Sequence, residues 1–460
     1  MKKQLSLLLA LLASTLPLLA DGFKVTIGEG KTTQTVTVRP WQVDHVTNGF
    51  HKVEQTNIAS FEADFAQGPV KVTVTCDGTE PISNVRVRPL SYGITPQVSG
   101  RTITFTVDRP RNLSVEVNGD IFHNLHLFAN QTVKRPKKSK NLIYFGPGEH
   151  KLDGDSLAVP SGATVFIDKD AVVKGFLSVW HAHDVKILGT GIVDPGRHEG
   201  IMVRYSKNVL IDGPFTTQIP VGESDSVTVR NAKVMSWYGW GDGMNVFASN
   251  HVYYKNVFCR TSDDCSTIYC TRKGYHGGCR DIRVDGAVYW ADVAHVIMIG
   301  LHGDIEKNEV IEDVIYNDID VLDHAENQID YQGVFGINNG DNILVKNVTF
   351  QNVRIEDFRK GNLFNLRVCY NKKYCHAPGR GIEDITFRNI SYNGTHAGLS
   401  IIAGYDDTRM VRNIHFENLR INGNLIFDDM KEKPKWYKTS DFANMFIGEH
   451  VDGVTFTTTE

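Results

Sequence analysis

From Gly22 to about Gln131 apolar and polar residues alternate with period two, as in Lys71-Val72-Thr73-Val74-Thr75, Asn84-Val85-Arg86-Val87-Arg88 and Thr102-Ile103-Thr104-Phe105-Thr106-Val107. Runs of this kind, separated by Gly, Pro and Asn turns, predict antiparallel strands with one wet face, hence a small β-sandwich. The basic stretch Lys134-Arg135-Pro136-Lys137-Lys138 and its continuation to Lys140 read as a linker. Beyond it the pattern changes to a loose repeat, a β-branched or aromatic run closed by Asn, Asp or Gly. The copies are Val227–Asn231, Val252–Asn256, Ile282–Gly286, Val314–Asp318, Ile343–Asn347, Ile385–Asn389 and Ile414–Asn418. Their last residues step by 25, 30, 32, 29, 42 and 29. Such periods belong to a solenoid in which one repeat is one coil. No long 3.6-residue stripe accompanies them, which disfavours crossover helices and predicts a right-handed parallel β-helix.

The expected organisation is therefore an all-β chain: residues 1–20 a leader, 21–133 the sandwich, 134–140 the linker and 141–460 the β-helix. The sandwich is expected to cap one end of the solenoid and the region from Lys431 to Glu460 the other, since an open coil end exposes core. Asn231, Asn256, Asn347, Asn389 and Asn418 fall at bends where left-handed geometry is tolerated, and each amide is placed to bond the equivalent residue of the neighbouring coil. Coil lengths differ because loops of unequal size enter at one edge, and that edge is where a binding groove forms.

Composition narrows the function. Lys and Arg number 49 against 53 Asp and Glu, for a net charge of −4. With no basic face there is no footprint for nucleic acid or an anionic membrane. Met1-Lys2-Lys3, the apolar stretch from Leu5 to Leu19 and the small Ala20 before Asp21 form a secretory signal, too short to span a bilayer. Export to periplasm or medium is expected, with no membrane insertion. Of seven cysteines, Cys259, Cys265, Cys270 and Cys279 bracket one region, Cys369 and Cys375 are close together, and Cys76 lies in a strand. An oxidising destination makes Cys369–Cys375 the best disulfide candidate. No Cys or His set has zinc spacing, so no metal or other cofactor is expected.

The chemistry lies in Trp240-Gly241-Asp242-Gly243 and Thr261-Ser262-Asp263-Asp264-Cys265. The step from Asp242 to Asp263 is 21 residues and from Asp263 to His295 it is 32, each one coil. Neighbouring coils stack about 4.8 Å apart, so Asp242, the Asp263-Asp264 pair and His295 are expected on one face. Asp263 and Asp264 share a cleft only if the backbone bends there, because adjacent strand residues point oppositely. Carboxylates this close raise at least one another's pKa. Asp263 is thus assigned as general acid, Asp242 with Asp264 as the base that activates water, and His295 as their charge partner. Tyr238, Trp240, Tyr269 and Trp290 lie in the same coils and are candidate sugar-stacking rings. His302 is a candidate contact to hydroxyls.

The Asp242-Gly243, Asp263-Asp264-Cys265 and His295 set resembles the polygalacturonases of glycoside hydrolase family 28. The stretches Arg109-Pro110-Arg111-Asn112, Asn124-Leu125-His126-Leu127-Phe128-Ala129-Asn130 and Tyr144-Phe145-Gly146-Pro147-Gly148 resemble the sandwich-to-helix junction of the related dextranase and isopullulanase family, family 49. Both resemblances imply inverting hydrolysis of a polysaccharide, with Asp263 as acid. The downstream Arg-Ile-Lys that grips a uronate is absent; the nearest place reads Val334-Phe335-Gly336-Ile337. This disfavours galacturonan. Arg367 is the candidate replacement from a later coil, with an ordinary surface arginine as the other reading. A β-helix polysaccharide lyase and a non-catalytic glycan-binding solenoid are the competing functions, and the sequence leaves the glycan, the mode of attack and the oligomeric state open.

Overall fold

A computed structural model describes residues 22–47, 50–78 and 80–459. The leader falls outside them. The first layer pair is a sandwich of two five-stranded sheets, antiparallel as expected except that Leu125–Gln131 pairs in parallel with Phe50–Ala63. One runs Gln34–Val36, Phe23–Ile27, Val70–Cys76, Thr102–Val107, Gln97–Ser99; the other runs Val38–Thr47, Phe50–Ala63, Leu125–Gln131, Arg111–Val117, Val85–Arg88. The alternating residues meet as expected: Val72, Val74, Ile103 and Phe105 from one sheet pack on Leu113, Val115, Leu125 and Leu127 of the other. Residues 132–140 then run without strand structure, and Arg135 lies 3.7 Å over the ring of Tyr144.

From Leu142–Phe145 to Val451–Thr457 the chain winds as a ladder of 28 strands, parallel except for the antiparallel pair Leu419–Ile421 and Asn424–Ile426. The first and third residues of each repeat turn inward. Tyr316, Phe350, Phe387, Phe416 and Phe456 therefore form a column, with ring centroids 4.8–5.5 Å apart, close to the rung spacing of about 4.8 Å. The bends behave as read: Asn231, Asn256, Asn347, Asn389 and Asn418 all have φ between 49° and 55°. Asn256 donates to Asn231 (2.9 Å) and Asn418 to Asn389 (2.8 Å). One copy was out of phase. Asn389 donates to Asn352, not to Asn347, which belongs to a second ladder and donates to Asp313.

The sandwich does not cap the solenoid. It packs along its flank, where Val43, Ile58 and Phe128 bury Phe215, Met235, Phe258, Val288, Trp290 and Leu322 from successive coils. The C-terminal region closes its end as expected, sending Ala443 and Met445 into the core. Cys369 and Cys375 are not joined: both are buried free thiols in hydrogen-bonding contact. Among the described residues, no helix is long and apolar enough to cross a membrane.

Candidate active site

Strand Met244–Phe247 pairs in parallel with Ser266–Tyr269, and that strand with Ile297–Gly300. The ladder continues just before them. Gly243 N–H donates to the Asp264 carbonyl (2.8 Å) and Cys265 N–H to the His295 carbonyl (2.9 Å). Asp242, Asp264 and His295 therefore stand at one level in three consecutive coils. The aligned member of the acidic pair is Asp264, and Asp263 bulges beside it. Strand Asn250–Thr261 has ended by then, and the bend is held by Thr261 Oγ1 donating to the Asp263 carbonyl (2.6 Å) and Asp264 N–H donating to the Asp263 carboxylate (3.0 Å). The two glycines flanking Asp242 make the close approach possible. A Cβ on Gly241 would stand 2.2 Å from Ser262 Oγ, and one on Gly243 2.3 Å from the Cys265 carbonyl oxygen. One oxygen from each of Asp242, Asp263 and Asp264 lies within 4.8 Å of the others.

Neighbours divide the three acids. Asp264 is buried and fully engaged: one oxygen accepts from His295 N–H (2.9 Å) and pairs with His295 Nδ1 (2.8 Å), and the other accepts from the Tyr269 hydroxyl (3.1 Å). Burial alone would raise its pKa, but the charge and hydrogen bonds of His295 outweigh that and hold it below the usual carboxylate range. His295 is fully buried, with Nδ1 on Asp264 and Nε2 on the Tyr331 carbonyl. Both ring nitrogens face acceptors, which only the doubly protonated imidazolium satisfies. Burial works against that charge, and Asp264 more than offsets it, so the His295 pKa is raised. Asp242 accepts from Asn245 (2.7 Å). Burial and then the Asp264 charge push it up to about 7. Among the described residues Asp263 has no ion-pair partner or side-chain donor, and burial followed by the charges of Asp242 and Asp264 raises it well above the normal value.

The cleft over these acids has a volume of about 340 Å³. Of the rings expected there, Trp240 stands at its rim, 75% exposed, and Tyr269 lies in its floor. His302 also lines it, edge-on to Tyr269 at 4.9 Å. Burial and then Arg272 push the His302 pKa down to about 3, so its ring is neutral. Three expectations fail. Trp290 is fully buried beneath the sandwich, with the Arg260 guanidinium 4.0 Å from its ring, because its strand turns that face to the flank. Tyr238 is outside the cleft lining, its hydroxyl accepting from Gln218 (2.8 Å). Arg367 lies outside the lining and donates to the Asp330 carbonyl (2.6 Å), bracing the turn Ile329–Tyr331.

Sequence reading missed several lining residues. Arg272 and Lys273 come from the turn after Tyr269; Glu326, Gln328, Lys373 and Tyr374 come from two later loops; His51 reaches in from the sandwich. Only Arg272-Lys273 carried a signal, a basic pair three and four residues past a candidate ring. Three clustered carboxylates also suit a hard divalent cation, and Asp242, Asp263 and Asp264 are the residues that would hold one.

No family model and no curated protein matches the sequence. Solved structures do match. Dex49A from Penicillium minioluteum superposes with a TM-score of 0.62 at 13% identity, covering 95% of this chain and 94% of that one. A family 28 exopolygalacturonase from Yersinia enterocolitica gives 0.49 at 12% identity, over 85% of this chain and 94% of that one. This chain has the Dex49A fold. The match runs through sandwich and β-helix together, so the two-part architecture read from the alternation and the repeats is that of a known structure.

Proposed function

We propose that the protein is an exported glycosidase that hydrolyses O-glycosidic bonds of a polysaccharide by an inverting, aspartate-based mechanism. The observation that carries the reading is three carboxylates within 4.8 Å of one another in unlike settings, Asp264 bonded to His295 and Tyr269, Asp242 to Asn245, and Asp263 to a backbone N–H. Hydrolysis needs a proton for the leaving oxygen and a base for water. Asp263 keeps its proton and supplies the first. Asp242, with the ionised Asp264 beside it, supplies the second. Trp240 and Tyr269 offer apolar faces to the sugar. The likeness in fold to Dex49A supports the reading, as does the resemblance of the Asp242, Asp263 and Asp264 motifs to polygalacturonases. The basic and apolar start of the chain supports export.

Carboxyl groups about 6.5–9.5 Å apart are usual for inversion and about 5–5.5 Å for retention, so the close grouping here does not by itself argue for inversion. What supports it is that Asp264 has both oxygens engaged and Asp242 one, which suits holding water better than attacking carbon. Proton NMR of the first product reads its anomeric form, and retention would exclude the base role for Asp242. An Asp263→Asn enzyme is expected to lose ~10²–10⁴-fold in kcat while melting with the parent; normal activity would remove the assignment. A lyase using a cation on the same acids would give ultraviolet-absorbing products and stop with chelator, whereas the proposed enzyme releases plain reducing ends and ignores chelator.

A further inference from the structure

The floor of the cleft is a strand face on which Gly222, Phe247 and Tyr269 stack in consecutive rungs. An open groove would continue from Tyr269 over Phe247 and Gly222 toward the N-terminal coils. It does not, because the chain after Tyr269 folds back over it. Arg272 and Tyr275 close a tight turn with paired backbone hydrogen bonds (3.1 and 2.9 Å). The Tyr275 ring is laid flat on the floor, only 7% exposed and stacked on Phe247 at 5.6 Å. Gly222 has left the space for it: a Cβ there would be 2.4 Å from the ring. The turn reaches one rung further, where the Tyr205 hydroxyl donates to the Gly274 carbonyl (3.1 Å).

This cover is anchored. The buried Glu309 carboxylate accepts from Thr271 N–H (3.2 Å) and from Gly277 N–H (3.2 Å), so one side chain ties both legs of the turn. Glu223 accepts from His276 N–H (2.9 Å). At the other end of the cleft Tyr331 and Tyr374 stack at 5.0 Å, and Gln328 accepts from both Lys373 Nζ (2.9 Å) and the Tyr374 hydroxyl (3.1 Å). Walls at both ends leave about 340 Å³, the small end of the ~300–1,000 Å³ range of ligand pockets.

We infer that the protein attacks chain ends, with the Arg272–Tyr275 turn as the plug that stops a polysaccharide from threading past the acids. The inference rests on the hydrolase reading and specifies its mode. The experiment compares polygalacturonate and dextran as probes, following viscosity, reducing ends and product size together. The wild type is expected to release one short product from the first minutes with little fall in viscosity. Gly222→Ala, which displaces the ring, and Tyr275→Ala, which removes it, are each expected to release mixed oligomers and to lower viscosity several-fold more per bond cut; circular dichroism identifies a variant that has lost its fold. Independently of turnover, the Asp263→Asn protein is expected to bind once per chain at any chain length. Mixed oligomers from the wild type, or bound protein increasing in proportion to chain length, overturns the plug and leaves hydrolysis standing. Failure to cut or bind any glycan overturns both.

Discussion

Asp242, Asp263 and Asp264 are chemically identical side chains that differ only in what touches them. The cations of Arg272 and Lys273 oppose the rise of Asp242, which burial and Asp264 bring to about 7. Removing Arg272 takes away a lowering influence, so the Asp242 pKa goes up and the base is protonated over a wider range. The acidic limb of kcat/KM is therefore expected to move to higher pH in Arg272→Ala, and a pH–rate profile that stays in place would exclude Asp242 as the base. The His295–Asp264 pair has its own window. His295, raised above 6.5, stabilises the fold below that value and ceases to as pH rises through its folded pKa. Asp264, lowered below 3.8, stabilises above that value and ceases to as pH falls through its folded pKa. At this scale the acids were legible because one coil is a countable number of residues. Gln328 and Lys373 were not, since they reach the cleft from loops whose paths follow no period.

The bends show how one element repeats. Asn256 combines left-handed backbone, φ 49°, with an amide bonded to the coil below. For an L-residue without a polar side chain that conformation costs ~1–2 kcal/mol, and a lost hydrogen bond adds ~0.5–1.5 kcal/mol. Asn256→Ala is expected to lower unfolding free energy by ~1.5–3.5 kcal/mol, the sum of the two. Asn256→Gly should cost less, because glycine adopts the same φ freely. Equal losses in denaturant titrations would show that the backbone conformation is not what Asn256 supplies. The repeat was readable here because inward positions are apolar and most bends of these two ladders are Asn, Asp or Gly, with Ser226 and His251 among the exceptions. Its phase was not fully readable, since two such ladders run down the same solenoid. Asn347 satisfies the pattern of one while standing in the other, and the apparent step of 42 from Asn347 to Asn389 was the trace of that slip.

For the molecule as a whole, the decisive contact is between sandwich and flank. Arg260, fully buried, donates Nε and Nη2 to Asp292 (2.7 and 3.0 Å) and Nη1 to Asn124 Oδ1 (3.1 Å) and His126 Nε2 (3.0 Å) of the sandwich. Its strand leads into Asp263, and Asp292 N–H donates to the Thr261 carbonyl (2.8 Å). Arg260→Ala leaves a buried carboxylate short of its main partner, so a loss of ~3–5 kcal/mol is expected, with both modules unfolding in one calorimetric transition. Two separated transitions would mean that the modules do not support each other. This arrangement was invisible in the sequence. The strand pattern identified both modules, but outward-facing Phe215, Phe258 and Trp290 look like any apolar strand residues until a partner covers them.

His51, which rises from the sandwich to the cleft with Asp44 at 2.6 Å from its Nδ1, carries that dependence to the cleft lining. The N-terminal module is not a detachable accessory appended to a self-sufficient catalyst. In an engineered chimera, exchanging one half without the other replaces part of the cleft's lining.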